Sequence, residues 1–259
     1  VYRGKMYWFW GDTNRPSYPL GNFHVSGATS RLPRNGGLRP GVGVDLAYFT
    51  AADGFAKQMA KMPGKGPTWI TGLITLRDDH GRERLFAAYM KVDPPLRIYQ
   101  RGLAVFDDTK QQFEKVCEFD LQAPLKPHGH PFLRRQDGVE YIYFGDPFPL
   151  TRVRATPEAL ADLAQYEAYT CLKRGARKKA VAIERRGGQP VFSWKRDTVP
   201  FTPQVQARLI KTGVLQPSEG LFQLEDQSGK AIVIQRGSVC WNAFRKRWIM
   251  IGGQQFGTS

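Results

Sequence analysis

An aromatic strand that closes on Gly-Asp occurs twice in this chain, and this repeat constrains the fold more than any other feature. Residues 5–13 read KMYWFWGDT, and residues 139–147 read VEYIYFGDP. Two further apolar strands, at residues 84–92 and 247–253, occupy similar places in the pattern. Recurrent strands with glycine-rich and aromatic punctuation are typical of the blades of a β-propeller.

Turn sequences divide the chain into strand pairs. Residues 78–81, 136–138 and 244–246 are the turns that precede the last three aromatic strands, and each follows a shorter strand. One stretch, residues 68–119, has the length and punctuation of a complete four-stranded blade. Its predicted strands are residues 68–76, 84–92, 100–106 and 113–119.

One helix interrupts the strands. Thr156, Pro157 and Glu158 form an N-cap, a proline at the first helical position and an acid in the first turn, so we predict a helix over residues 159–172. A basic stretch, residues 173–179, follows it, and residues 156–186 are therefore predicted to be a helical and basic insertion. A further hairpin is predicted from residues 222–224 and 231–235.

Composition sets the class of the protein. Of 259 residues 41% are hydrophobic, which is enough for a sizeable core and excludes disorder as the main state. No apolar run approaches ~18 residues, so no membrane-spanning helix is expected. We predict an all-β, single-domain fold over residues 1–259 that is incomplete at both ends. The chain opens in the middle of a strand pattern, without a signal region, and stops just after a strong strand.

The basic charge has three interpretations. With 38 Lys and Arg against 23 Asp and Glu, the formal charge is +15 and the pI is near 9.9. A nucleic-acid partner would fit the charge, but no zinc-finger, RRM or helix-turn-helix pattern is present. A solvated basic insertion on a globular body is favoured. A basic surface that concentrates anionic substrates, including sulfated or uronic-acid glycans, is the third interpretation.

The three cysteines do not form a recognisable framework. Cys117, Cys171 and Cys240 are widely spaced, and no pair has metal-ligand spacing. An odd number within apolar stretches favours buried free thiols over disulfides, and Cys240 is expected to serve packing.

The sequence resembles the five-bladed β-propellers of the furanosidase type, which are the arabinanase-like and invertase-like glycoside hydrolases, and most closely their uncharacterised bacterial members. The resemblance rests on residues 129–132, 138 and 141–146, together with residues 7–13, 18–22, 98–102 and 241–242. It implies a five-bladed propeller that acts on an oligo- or polysaccharide. The alternative is a propeller that binds glycans without cleaving them. The resemblance also implies secretion or a periplasmic location.

The family's chemistry uses carboxylates. One group protonates the leaving oxygen while another attacks or activates water. The candidate carboxylates here are Asp12 and Asp146, and Glu219 is the acid candidate by order along the chain. Asp12 departs from the family's pattern, because it ends the second strand of its blade, whereas the family's base lies on the first strand, which is expected before Val1. His130 stands where the family often has an aspartate, so carboxylate and histidine acid–base chemistry is expected. No cofactor is expected, although a channel-bound metal ion such as calcium is compatible with the family.

Each of these residues also has a structural interpretation. His130 would face the axis from an innermost strand and could transfer protons near neutral pH, or could simply be hydrogen-bonded inside the protein. His128 lies two residues before His130 and could share the same strand face by alternation, so the two histidines together could bind a metal ion. Asp12 and Asp146 could equally be turn residues at blade corners. Glu219 could be an ordinary exposed loop residue.

Four further residues are predicted to bind substrate. Arg101 lies in an apolar neighbourhood, where an arginine pairs with a carboxylate or binds an anionic ligand. Trp241 and Asn242 could offer a sugar platform and an amide, although Trp241 could also be a core residue. His24 could complete a cluster with Asp12, or could be a simple surface histidine.

Overall fold

The computed structural model describes residues 1–11, 24–177, 182–230 and 232–254, and β-strands dominate it. Strands hold 44% and helices 10% of the described residues, so the all-β class is confirmed. The number of blades stays a prediction. No helix in the described ranges is long and apolar enough to cross a membrane. The chain divides into two compact units, Val1–Leu121 and Gln122–Ser259.

The first unit contains two antiparallel sheets. A three-stranded sheet has the order β1-β2-β3, and a four-stranded sheet has the order β4-β5-β6-β7. The strands are β1 (Lys5–Trp10), β2 (Ser26–Arg31), β3 (Ala47–Tyr48), β4 (Thr68–Arg77), β5 (Glu83–Asp93), β6 (Arg97–Asp107) and β7 (Gln112–Phe119), and a 3-10 turn spans Pro33–Asn35. The four-stranded sheet predicted over residues 68–119 is therefore confirmed.

Two of the three turns of this sheet are fixed by aspartate side chains. Asp78 Oδ1 accepts hydrogen bonds from the backbone N–H groups of His80 and Arg82, each at 3.0 Å. Asp107 Oδ1 does the same for Thr109 and Lys110, each at 2.9 Å. Because aspartate can satisfy its own turn in this way, the sequence specifies where the β4–β5 and β6–β7 hairpins reverse.

The core of the first unit is built from aromatic rings. Phe106, on β6, is 2% exposed and lies in an apolar cluster with residues of the sheets and of the connection between β3 and β4. Five rings lie around it, with centroid distances of 5.4 to 6.4 Å: Tyr2, Tyr7, Phe9, Phe49 and Phe113. The aromatic strand that opens the repeat thus supplies core packing through Tyr7 and Phe9.

The second unit is organised around a five-stranded sheet of order β14-β11-β10-β9-β8. Two hairpins, β12-β13 and β15-β16, form separate two-stranded sheets. The elements are β8 (His130–Gln136), β9 (Val139–Gly145), β10 (Thr151–Arg154), α1 (Pro157–Ala161), β11 (Glu167–Thr170), β12 (Arg185–Arg186), β13 (Gln189–Pro190), β14 (Ser193–Lys195), α2 (Pro203–Lys211), β15 (Ile234–Asn242) and β16 (Arg247–Gln254), with 3-10 turns at Leu163–Gln165 and Pro217–Glu219.

The predicted helix over residues 159–172 is wrong beyond its first turn. Thr156 caps α1 as expected, since its side chain accepts a hydrogen bond from Ala159 N at 3.2 Å. Asp162 then accepts from Ala164 N and ends the helix in a 3-10 turn. The following residues form β11, which pairs with β10 and β14 inside the main sheet. Long-range strand pairing therefore overrides a local helical pattern.

A second helix, α2, carries the same start signal and was not predicted. Thr202 caps it by accepting from Val205 N at 3.2 Å, and Pro203 occupies its first turn. The predicted hairpin of residues 222–224 and 231–235 forms only in part. Asp226 N donates to Lys230 O and Ile232 N donates to Leu224 O, but no regular strand forms before β15 begins at Ile234.

None of the three cysteines forms a disulfide, and they differ in exposure. Cys171 is fully buried, and burial raises the pKa of its thiol to about 11, so it is unreactive near neutral pH. Cys117 is half-buried, so the prediction of a buried thiol holds only in part at this position. Cys240 is exposed, so the prediction that it serves packing is wrong.

Candidate functional site

A cleft of about 350 Å³ in the second unit brings together two predicted chemical groups. The end of β9, the segment before β8 and the start of α2 line it. Its polar groups include His128, Asp146, Thr202 and Gln204, and its apolar wall includes Phe144. A mostly apolar cleft with a few convergent polar groups is the usual form of a ligand site.

Asp146 is held in place from two sides. It follows Gly145, the last residue of β9, at a point where a Cβ would lie 2.6 Å from Pro147 O. Its Oδ1 accepts a hydrogen bond from Gly237 N of β15 at 3.2 Å, and its side chain is 25% exposed. The predicted turn role of Asp146 and its pocket role are thus compatible, because one oxygen anchors the backbone and the other stays available.

His128 uses that second oxygen. Its Nε2 lies 3.3 Å from Asp146 Oδ2, and its side chain is 65% exposed. A carboxylate only accepts hydrogen bonds, so a proton on Nε2 would face Asp146 and leave Nδ1 as the acceptor of the ring. This is the arrangement in which an aspartate orients a histidine for proton transfer.

A glycine decides which histidine reaches Asp146. Gly129 has φ +86°, and a Cβ there would lie 2.3 Å from Gly145 O. The regular strand begins only at His130, so strand alternation does not extend back to His128. His130 pairs with Gly145 across the sheet and is exposed, and it does not line the cleft. The structure therefore brings His128, rather than the predicted His130, to Asp146.

Glu219 has a structural partner that conflicts with its predicted role as the acid. Arg185 donates two hydrogen bonds to its carboxylate, at 2.6 and 2.9 Å, and Gln216 N donates a third at 2.8 Å. The Arg185 hydrogen bond, followed by that of Gln216, lowers the pKa of Glu219 to about 2. A carboxylate held ionised in this way does not donate protons near neutral pH, so we correct its assignment to an ion-pair residue.

Asp12 lies outside the described residues, so its predicted catalytic role stays a prediction. Asn242 supports a turn, because its Oδ1 accepts from Arg245 N at 2.8 Å. Trp241 is 51% exposed, which rules out a core role, and its ring lies edge-on to Trp248 with a centroid distance of 5.7 Å. Neither Trp241 nor Asn242 lines the cleft.

Arg101 lies in the first unit, on β6, and is half-buried. Burial lowers the pKa of its guanidinium. Within the described ranges no carboxylate forms an ion pair with it, so the structural ion pair that the sequence allowed is not found there. Its predicted role in binding an anionic ligand stays a prediction.

His24 is a structural histidine rather than a surface one. It is half-buried in the first unit, and its Nδ1 accepts a hydrogen bond from Thr68 N at 3.1 Å. Burial, with smaller contributions from Lys91 and Lys61, lowers its pKa to about 4. The ring is therefore neutral at neutral pH, and its free nitrogen is not placed at the His128–Asp146 cleft.

This shift predicts a pH dependence of stability. An unfolded chain protonates His24 near pH 6.5, whereas the folded chain resists protonation until about pH 4. The free energy of unfolding should therefore fall as the pH drops from 6.5 towards 4. We expect the urea midpoint to fall more between pH 7.5 and pH 5 in the native protein than in His24→Asn, which keeps an acceptor for Thr68 N. His80→Asn, in an exposed turn, is the control and should leave the pH dependence unchanged; a His24→Asn profile equal to the native one would contradict the assignment.

The donor set of the cleft does not suit a metal ion. Across the described residues, no group of three or more His, Cys, Asp and Glu side chains is arranged to hold one. Asp146 is the one carboxylate that lines the described part of the cleft, whereas Ca²⁺ takes six to eight oxygen ligands. We therefore derive no step through a metal.

Thr202 and Gln204 are cleft residues that the sequence analysis missed. They reach the cleft because α2 begins there, and the signal that could have found them is the Thr202-Pro203 start of that helix. Comparison of the chain with protein-family models, with curated proteins and with solved structures finds no match.

Proposed function

We propose that the chain is part of a five-bladed propeller of the furanosidase type, and that the His128–Asp146 cleft binds a saccharide and hydrolyses a glycosidic bond. Two sheets support the proposed fold. In both of them, strands that follow one another along the chain, β4–β7 and β8–β11, are antiparallel neighbours, as the strands of a propeller blade are. The observation that carries the function is the 3.3 Å contact between His128 Nε2 and Asp146 Oδ2 in the cleft.

The pair would work on one side of the bond. His128 Nδ1 takes a proton from a water molecule, whose oxygen forms a bond to the anomeric carbon while the glycosidic C–O bond breaks. Asp146 orients the imidazole and stabilises its positive charge. In glycosidases the two catalytic groups lie on either side of the glycosidic bond, about 5 to 9.5 Å apart. His128 and Asp146 are in contact at 3.3 Å, so together they can supply only one of these two groups. The leaving oxygen needs a proton from a second acid, which the described lining of the cleft does not include, since Asp146 is its one carboxylate.

The alternative is a propeller that binds glycans without cleaving them. One observation favours it: the described lining of the cleft holds a single carboxylate. The ion pair of Glu219 with Arg185 also removes the acid that the sequence offered. In this case the polar groups of the cleft would hold sugar hydroxyls, and Asp146 would be an acceptor for them.

Reducing-sugar release from a panel of neutral and acidic oligosaccharides separates the two functions. We expect Asp146→Asn to lower the rate of release about 100-fold, within the range for loss of a proton-transfer unit, because the amide loses the charge that stabilises the imidazolium. The variant keeps an oxygen for Gly237 N, so the fold should persist. Calorimetric titration with the same sugars should show binding by both proteins. Binding without release in the native protein would establish the alternative, and full release by Asp146→Asn would contradict the proposed chemistry.

A further inference from the structure

A second concave site, the aromatic groove, lies in the same unit. It has a volume of about 380 Å³ and is lined by the rings of Phe132, Tyr143, Tyr169, Trp194 and Trp248, with Arg134 and Gln136 among its polar groups. Tyr143 lines the groove, whereas its neighbour on β9, Phe144, lines the His128–Asp146 cleft. Because successive side chains of a strand point to opposite faces, Tyr143 and Phe144 lie on opposite faces of the sheet, whereas Phe148 and Leu150, beyond β9, line both sites.

The rings of the groove pack against one another at several angles. Phe132 stacks on Tyr143 with a centroid distance of 5.5 Å and an interplanar angle of 9°. Phe132 also contacts Trp248 at 4.9 Å, and Tyr169 contacts Trp194 at 5.3 Å. Trp248 is 37% exposed, so its ring is accessible to a ligand. Partly exposed aromatic faces bind rings that carry apolar C–H groups.

Arg152 does not line the groove itself but contacts several residues that do. Arg152 Nε donates to Glu167 Oε2 at 2.7 Å, and its guanidinium lies 4.0 Å from the ring centroid of Tyr141 and 4.4 Å from that of Trp194. Its NH1 donates to Gln136 Oε1 at 2.8 Å. Arg152 is thus paired with Glu167, and it holds Trp194 and Gln136 in position.

Two hydrogen-bond donors of the groove are left over. An arginine can only donate, so the Gln136 atom that meets Arg152 is its oxygen, and the amide nitrogen is free to donate elsewhere. Arg134 stacks on Trp248 at 5.6 Å, and no carboxylate in the described part of the chain pairs with it. A cation and an amide donor beside aromatic faces match a ligand that carries a carboxylate on a ring with apolar faces.

We infer that the aromatic groove binds an acidic saccharide, with a uronic-acid carboxylate on Arg134 and the sugar ring stacked on Phe132 and Trp248. This inference is independent of the chemistry proposed for the His128–Asp146 cleft. The chain has 38 basic and 23 acidic residues, and the resulting net charge of +15 attracts an anionic ligand from a distance but not a neutral one.

Binding of tri-galacturonic acid, with maltotriose as the neutral probe, tests the inference by tryptophan fluorescence and calorimetry. We expect the acidic trisaccharide to bind at least tenfold more tightly than maltotriose. Arg134→Gln should lower its affinity at least tenfold, and added salt should lower it as well. Arg135→Gln is the matched control, because Arg135 is the next residue on β8, is exposed and does not line the groove.

Three outcomes would overturn the inference: equal affinity for the two sugars, no effect of Arg134→Gln, or tighter binding of a proline-rich peptide than of the acidic sugar. Asp146→Asn distinguishes the two sites. The groove account predicts that this variant binds tri-galacturonic acid normally, even if it releases no sugar; a loss of binding there would move the ligand to the cleft and overturn the groove. Arg134 is exposed, so its variant is expected to fold, and equal thermal midpoints of the two arginine variants check this.

Discussion

Phe106→Ala is expected to lower the free energy of unfolding by about 3 to 5 kcal/mol, the usual cost of removing a buried phenylalanine. Phe106 is 2% exposed, and five aromatic rings that also contact one another surround it, so its loss leaves a cavity inside a packed cluster. Large rings relax poorly into such a cavity, which places the effect at the high end for core substitutions. The measurement is urea denaturation of the full chain.

Phe244→Ala is the matched control for this change. The same atoms are removed, but Phe244 is 94% exposed in the turn between β15 and β16. Its effect should stay within about 0.5 kcal/mol, as is usual for surface substitutions. Equal urea midpoints for the two variants would mean that the aromatic cluster does not form the core of the first unit.

Arg152→Met is expected to destabilise the second unit by about 3 kcal/mol, because it removes one partner of a largely buried ion pair. The side chains of Arg152 and Glu167 are 9% and 21% exposed, and the change leaves the carboxylate of Glu167 and the oxygen of Gln136 without their cation. Methionine keeps most of the apolar volume, so the loss reports the charge, the hydrogen bonds and the contacts with Tyr141 and Trp194.

Arg154→Met controls for the loss of a positive charge on the same strand. Arg154 is exposed at the end of β10, so its replacement should change the free energy of unfolding by no more than about 0.5 kcal/mol. Arg152→Lys should recover little of the loss, since an ammonium group cannot reproduce the planar stacking. Full recovery by lysine, or equal loss at both positions, would contradict the role given to Arg152.

Strand positions could be predicted because each turn is determined by a few residues that are adjacent in the sequence. Asp137 and Gly138, with φ +50° and +79°, adopt the left-handed backbone that a tight hairpin requires, and the sequence Asp-Gly is the usual choice there. The strands β8 and β9 pair on either side of this turn, residue for residue from His130 with Gly145 to Gln136 with Val139. In this hairpin the strand pattern, the turn residues and the observed pairing agree, so the local sequence is enough to predict it.

The candidate site could be predicted only in part, because its contacts depend on distant residues and on one backbone reversal. Asp146 was predicted, but its choice of His128 over His130 follows from the positive φ of Gly129, which breaks the strand alternation on which the prediction relied. Glu219 pairs with Arg185, which lies 34 residues away in the sequence. No local sequence pattern predicts that ion pair. The strand β11 was similarly predicted as helix, since its pairing with β14 is not visible locally.

The measurement that tests the central claim most directly compares His128→Ala with His130→Ala in saccharide binding and hydrolysis. The two residues flank Gly129, are both exposed and are chemically identical, but only His128 contacts Asp146 and lines the cleft. We predict that His128→Ala loses hydrolysis about 100-fold, or loses affinity if the cleft only binds, while His130→Ala behaves as the native protein. Native behaviour of His128→Ala together with a loss in His130→Ala would contradict the assignment of the site to the His128–Asp146 pair.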